Sequence, residues 1–333
     1  MLTKFLITIS LIFSPLISLP GQISQSAPAE NLSDNSEPIQ ESVLETEENW
    51  NTLEKYHISA ISSLWLANPN FLPVRDWGVD EPEISAKAVL ISNIANSSSL
   101  SSKNKILYQK NVDALLSIAS LTKLMTAIVV LENIDLGEEV IVSENAVNSY
   151  GARGGLVVNE KITVKNLLYV LLIESSNDAA AALAEAVQMK TEKNFIGLMN
   201  KKAEELDLKN THFIGPSGYR PDNVSTARDL AKLVKCVLGY PLILEISRIP
   251  VIDLIPISGE KKHHLTNTNE LLGNLSDIVG GKTGYTQEAQ ECLILIIRQS
   301  EKDYLVTVIL GAQERFVQAQ KLIEWVKKAY LWE

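Results

Sequence analysis

The chain has 333 residues, 46% apolar and 21% charged, with 30 Lys+Arg against 40 Asp+Glu and a net charge of −10. That composition excludes a disordered or collagen-like protein, and the acidity argues against a nucleic-acid partner, because phosphate binding calls for a basic stripe. Two cysteines, Cys236 and Cys292, exclude a disulfide scaffold and a four-cysteine zinc site, and leave open whether they pair or stay free.

From the N-terminus, residues 5–19 (FLITISLIFSPLISL) form a 15-residue apolar run behind Lys4. A bilayer span takes about 20 apolar residues, and Pro15 and Pro20-Gly21 interrupt this one. The pattern predicts a signal peptide or N-terminal anchor over 1–22, and hence an exported, periplasmic or extracytoplasmic protein. Residues 22–54 are Ser-, Asn- and Glu-rich and read as a solvated tether. One cation against eight acids places −7 of the net charge in residues 1–54. A transitional stretch with Trp50, Tyr56, Trp65, Phe71 and Trp77 completes a spacer over 23–80, ahead of a folded domain predicted over 81–333.

Within that domain, strand-like runs at 84–94 and 105–109 flank a polar loop, as in a hairpin. Helical patterns follow at 120–134, 163–173, 178–188, 191–206 and 225–238, the last with Ser225 and Asp229 in its first turn. Strands return at 291–298 and 303–311 before a final helix over 314–331. Strands at both ends with helices between predict an α+β domain whose sheet is assembled from the two chain ends.

Three short motifs stand in order: Ser120-Leu-Thr-Lys123, Ser175-Ser-Asn177 and Lys282-Thr283-Gly284. Each is weak alone; Ser-x-x-Lys recurs at Ser102–Lys105 and Ser258–Lys261, both in polar turn-like stretches. Only Ser120 opens a long apolar helix, where free N–H groups favour developing negative charge. Lys123, three residues on, shares its helical face, and a desolvated lysine can serve as a base. Taken singly, the motifs also read as a capping serine, a helix cap ahead of Asp178 and a glycine-rich turn entering a strand. A phosphate loop is excluded, since Ser276 stands where the pattern needs glycine. His57, His212, His263 and His264 lack metal-site spacing.

In that order the three motifs match the signature of penicillin-binding proteins and class A β-lactamases. The chain resembles the low-molecular-mass penicillin-binding proteins, the serine D-alanyl-D-alanine carboxypeptidases of peptidase family S11. The likeness extends to SIASLTKLMTA, LLIESSNDAAAALAE, THFIGPSG, STARDLA, NTNELL and GGKTGYT. It implies a β-lactamase/transpeptidase-like fold, an antiparallel sheet built from both chain ends with a helical subdomain between them. It implies that Ser120 is the acylated nucleophile, Lys123 its base, Ser175 a proton relay and Asn177 a holder of substrate and of Lys123. Backbone N–H groups of Ser120 and Tyr285 would form the oxyanion hole, and Lys282, Thr283, Gly284 and Arg315 would bind the substrate's carboxylate end. No metal or organic cofactor is implied. The implied partners are peptidoglycan stem peptides ending in D-Ala-D-Ala, and β-lactams as covalent inhibitors.

Departures from the family pattern include Gln290 after Ala289, where glycine is common, and Gly215-Pro-Ser-Gly-Tyr219 in place of Asn-Pro-x-Gly-Leu. The catalytic domain's last helix ends the sequence, so any membrane attachment is expected through the N-terminal segment. A DD-endopeptidase acting on cross-links is the alternative on the same chemistry. A class A-like β-lactamase is disfavoured, because Leu206 stands where its deacylating glutamate is needed ahead of Asn210. A non-catalytic peptidoglycan or β-lactam sensor is the third reading.

Overall fold

A computed structural model describes residues 73–95, 104–151, 154–259, 262–300 and 303–332. The signal segment and the tether up to residue 72 lie outside the described residues, as does the loop over 96–103. Among the described residues, no helix is long and apolar enough to cross a membrane.

The central sheet uses β1 (Ala88–Ala95), β2 (Lys105–Lys110), β3 (Ile278–Thr286), β4 (Gln290–Arg298) and β5 (Asp303–Ala312). Its spatial order is β3-β4-β5-β1-β2, and every neighbouring pair is antiparallel. The two chain ends thus meet at β5 and β1, as the order of predicted elements required. The strands read as unbroken apolar runs because both faces of the sheet are covered. Val89, Ile91, Leu293, Leu295, Leu305 and Ile309 pack against a C-terminal helix, while Leu90, Ile94, Ile294, Ile296, Val306 and Val308 face the helical half.

That half contains α1 (Lys123–Asn133), α2 (Val164–Ile173), α3 (Asn177–Thr191), α4 (Phe195–Glu205), α5 (Ala227–Val237) and α6 (Pro241–Ser247). Residues 123–130 of α1 are all buried, the mark of a helix enclosed by others. α7 (Arg315–Ala329) covers the opposite face of the sheet.

Several local expectations are revised. Lys282-Thr-Gly lies inside edge strand β3 and not in a turn before a strand. The cap of α5 is Thr226, whose hydroxyl accepts from Asp229 N, and not Ser225. The helix expected from residue 191 starts at Phe195, after Asn194 caps it. The folded part begins before residue 81: Val74–Arg75 pairs with Tyr330–Leu331, and Trp325 Nε1 donates to Asp80 O. Cys236 and Cys292 are both free thiols.

The β3–β4 hairpin closes at Gln290, which adopts φ 58°, a left-handed conformation that penalises a side chain. Replacing Gln290 by glycine is expected to stabilise the domain by about 1 kcal/mol, less the entropy glycine adds to the unfolded chain. Thermal unfolding of Gln290→Gly checks this through a small Tm rise of roughly 1–2 °C, and a lower Tm contradicts it.

Candidate active site

Ser120 lies in a 3-10 turn, Ala119–Thr122, which runs directly into α1 at Lys123. Side chains three apart eclipse one another in a 3-10 turn, which brings Lys123 beneath Ser120 more closely than α-helical spacing would. Lys123 Nζ lies 2.8 Å from Ser120 Oγ. It also donates to Asn177 Oδ1 at 2.7 Å and to the Ser217 carbonyl at 2.7 Å. The latter two partners can only accept. A neutral amine satisfies both with its two protons and keeps its lone pair for the Ser120 hydroxyl proton. The electrostatics favour that neutral form: Lys123 is 0% exposed, and burial, reinforced by the Lys282 charge, holds its pKa well below the usual lysine range against the pull of Asp178.

Asn177 opens α3 and is fixed from both ends, its Oδ1 on Lys123 and its Nδ2 on the Tyr150 carbonyl at 2.6 Å. The capping expected of this stretch falls to Ser176, whose hydroxyl accepts from Ala179 N and donates to Asp178. Ser175 precedes it at φ 63°, buried between α2 and α3. Among the described residues no hydrogen bond joins it to Lys123 or Lys282. Ala119, beside Ser120, also has positive φ, at 45°. Non-glycine residues in this region cost about 1–2 kcal/mol each, and such strain gathers at functional sites.

The stretch 215–223 supplies supports that the three motifs did not indicate. Besides the Ser217 carbonyl, Pro216 O accepts from Thr126 Oγ1 at 2.6 Å, and Asn223 Nδ2 donates to Thr122 Oγ1 at 3.1 Å. Gly218 has φ 77°, and a Cβ there would collide with the Ala119 carbonyl. Its signal in the sequence is the Gly-Pro-Ser-Gly run itself.

Across the cleft, β3 passes over the 3-10 turn. A Cβ on Gly284 would stand 3.0 Å from Ser120 N, so glycine allows this approach. Gly281 N donates to Ser247 Oγ on the open side of β3. Strand alternation then places the N–H groups of Thr283 and Tyr285 on the same unpaired edge, facing the turn that holds Ser120. Lys282 is buried, its Nζ on the Thr283 carbonyl at 2.9 Å, and burial followed by the Arg315 charge lowers its pKa to about 7. Thr283 Oγ1 meets Thr268 Oγ1 at 2.5 Å. Arg315, first residue of α7, reaches the Gly284 carbonyl at 3.0 Å, and its Nε is buried with no partner among the described residues. Glu291 Oε2 accepts from Arg315 N and so caps α7 in place of a side chain of its own.

Ser120, Gly151, Asn177, Tyr219, Arg220, Tyr285 and Glu288 are among the residues lining a cleft of about 490 Å³. The structure therefore joins Ser120, Lys123 and Asn177 directly, and gathers Lys282, Thr283, Gly284 and Arg315 into a neighbouring cationic corner. Two of the histidines serve elsewhere: His263 is buried against Glu160 at 2.5 Å, and His264 meets Asp253 at 2.8 Å.

Such a constellation can acylate a serine at a carbonyl held near a carboxylate, and comparison with known proteins agrees. The chain is 36% identical to the D-alanyl-D-alanine carboxypeptidase DacF of Bacillus subtilis, over 68% of this chain and 60% of that protein. It is 35% identical to a D-alanyl-D-alanine endopeptidase of Pseudomonas aeruginosa, over 67% of this chain and 73% of that protein. The Streptomyces K15 DD-transpeptidase structure superposes with a TM-score of 0.65 at 30% identity, covering 75% of this chain and all of that one. A family model described as D-alanyl-D-alanine carboxypeptidase matches residues 76–314. Because that match spans most of the chain and includes all three motifs, the chain belongs to the D-alanyl-D-alanine carboxypeptidase family of serine peptidases.

Proposed function

We propose that this chain is a serine D-alanyl-D-alanine carboxypeptidase that cleaves peptidoglycan stem peptides ending in D-Ala-D-Ala and is acylated by β-lactams. The observation that carries the reading is the buried Lys123 amine, held between two obligate acceptors with its third position on Ser120 Oγ. Residues 1–22 export the chain, residues 23 to about 72 act as a spacer, and the remainder, with Val74–Arg75 paired to the end of the last helix, is the catalytic domain.

In the first step neutral Lys123 takes the Ser120 proton while Oγ attacks the carbonyl carbon of the penultimate D-alanine. The N–H groups of Ser120 and Tyr285 stabilise the oxyanion. Asn177 orients both Lys123 and the substrate amide. Lys282, Thr283 and Arg315 hold the terminal carboxylate against the strand at Gly284. The C–N bond then breaks as Ser175 passes its hydroxyl proton to the departing D-alanine nitrogen and takes in return the proton held by Lys123, which becomes neutral again. In the second step water attacks the Ser120 ester while Lys123 accepts its proton, and Lys123 returns that proton to Ser120 Oγ as the ester bond breaks.

The likeness to a D-alanyl-D-alanine endopeptidase supports a second reading, in which the same acyl-enzyme forms on a cross-linked peptide. Incubation with a fluorescent penicillin, a diacyl-D-Ala-D-Ala peptide and a cross-linked dimer separates the readings. A long-lived adduct and D-alanine release are expected, both falling at least ~10³-fold in Ser120→Ala. Cleavage of the dimer alone favours the endopeptidase, rapid penicillin turnover a β-lactamase, and an adduct without peptide cleavage a sensor. Labelling that survives Ser120→Ala sinks the assignment.

The pH profile follows from the two lysines. Lys123 works as the free base, so acidification through its depressed pKa removes activity. Lys282 attracts the carboxylate only while charged, and its pKa of about 7 means that this attraction fades as pH rises past neutrality. A bell-shaped kcat/KM is expected, since that ratio reports the free enzyme. Arg315 lowers the Lys282 pKa, so Arg315→Gln should weaken kcat/KM yet move the alkaline limb to higher pH. An unmoved limb would show that Lys282 does not set it.

A further inference from the structure

Ser120 stands at a junction in the site. The cationic corner of Lys282, Thr283 and Arg315 lies on one side, and none of these three lines the cleft of about 490 Å³. The cleft instead extends from Ser120 and Asn177 toward the tip of the β3–β4 hairpin at Thr286, Gln287 and Glu288. A substrate with its carboxylate in the cationic corner and its reacting carbonyl at Ser120 must therefore send its acyl side into this cleft.

One wall of the cleft is aromatic. Tyr219 lines it, and Tyr150, next to lining residue Gly151, stacks on Tyr219 with ring centroids 6.3 Å apart and planes 15° apart. Both rings are open to solvent, Tyr150 at 78% and Tyr219 at 48%. Among the described residues neither phenol has a hydrogen-bond partner, unlike the hydroxyls of Tyr240 and Tyr330, which bond to Glu132 and the Leu107 carbonyl. The pair is held by its backbone. The Tyr150 carbonyl accepts from Asn177, and Tyr219 follows Gly218 and the Ser217 carbonyl that accepts from Lys123. Gly151 leaves room for the stack, because a Cβ there would come within 2.8 Å of the Tyr219 ring and 2.6 Å of Asn177 Nδ2. Exposed aromatic faces anchored this way beside a polar cleft leave apolar surface available to a ligand.

We propose that the Tyr150–Tyr219 stack is a subsite for the acyl side of the ligand, taking a flat or apolar group attached on the N-terminal side of the reacting carbonyl. This rests on the serine-peptidase reading above. The subsite makes the enzyme select ligands by what precedes the reacting residue, through ring faces and not through hydroxyl groups.

Benzylpenicillin and 6-aminopenicillanic acid share the β-lactam core and carboxylate and differ in the aryl-acyl side chain, so the ratio of their acylation rate constants isolates the subsite. The wild-type protein should favour benzylpenicillin. That preference should fall about three- to tenfold in Tyr150→Ala and in Tyr219→Ala, and persist in Tyr150→Phe and Tyr219→Phe. Both alanine variants keep the backbone carbonyls that hold Asn177 and Lys123, and thermal melting confirms their folding. Equal slowing with both compounds would reduce the stack to a structural support and overturn the subsite. A wild type without preference, or phenylalanine variants that lose as much as alanine variants, would overturn it too. A wild type acylated by neither compound would instead fell the serine-peptidase reading, and the subsite with it.

Discussion

A lysine amine buried among apolar helices is the constraint on which the site depends. An uncompensated ammonium there would be costly, so the chain must either deliver partners to Lys123 or leave it neutral. It does both. Asn177 arrives from the start of α3, the Ser217 carbonyl from a loop nearly a hundred residues away, and Ser120 from the preceding turn. Each partner requires further structure. Ser176 takes over the capping of α3, which leaves the Asn177 side chain for Lys123. Gly218 lets its loop press on Ala119, and Thr126 and Asn223 hold that loop in place. The strained backbone at Ala119 and Ser175 is the local cost of this convergence.

The second requirement is closeness between the helical half and the sheet. Edge strand β3 must lie against the turn bearing Ser120, and the side-chain-free Gly284 makes that approach possible. The same strand carries Lys282 and Thr283, and α7 brings Arg315 to the Gly284 carbonyl. Arg315 and Lys282 are near enough for one charge to depress the other's pKa. Cationic potential and open N–H groups thus lie along one strand edge, directly opposite Ser120.

Much of this was legible beforehand. Long helices such as α1, α2 and α5 and the strands β4 and β5 were marked by unbroken or periodic apolar residues, and their order already implied a sheet closed by both chain ends. That the three motifs belong to one site was legible from their order, and the structure brings their residues together. Short elements were less so. Lys282-Thr-Gly reads locally as a turn, because two glycines precede it, and becomes a strand only by pairing with β4. The two-residue ribbon of Val74–Arg75 with Tyr330–Leu331 has no local signature; it exists because the two segments meet at the end of α7.

The amino-acid order alone determined that Ser120 and Lys123 would lie together, because residues three positions apart are local neighbours in any helical turn. It also determined the two-sided burial of the sheet, through apolar runs that could satisfy no exposed strand. Only the tertiary structure decided what surrounds that pair. The Lys123 pKa depends on burial among distant helices, the role of Ser217 on a backbone carbonyl that no side-chain pattern encodes, and the aromatic wall on two tyrosines 69 positions apart in sequence. Desolvation, backbone direction and ring stacking arise only when remote segments are packed together.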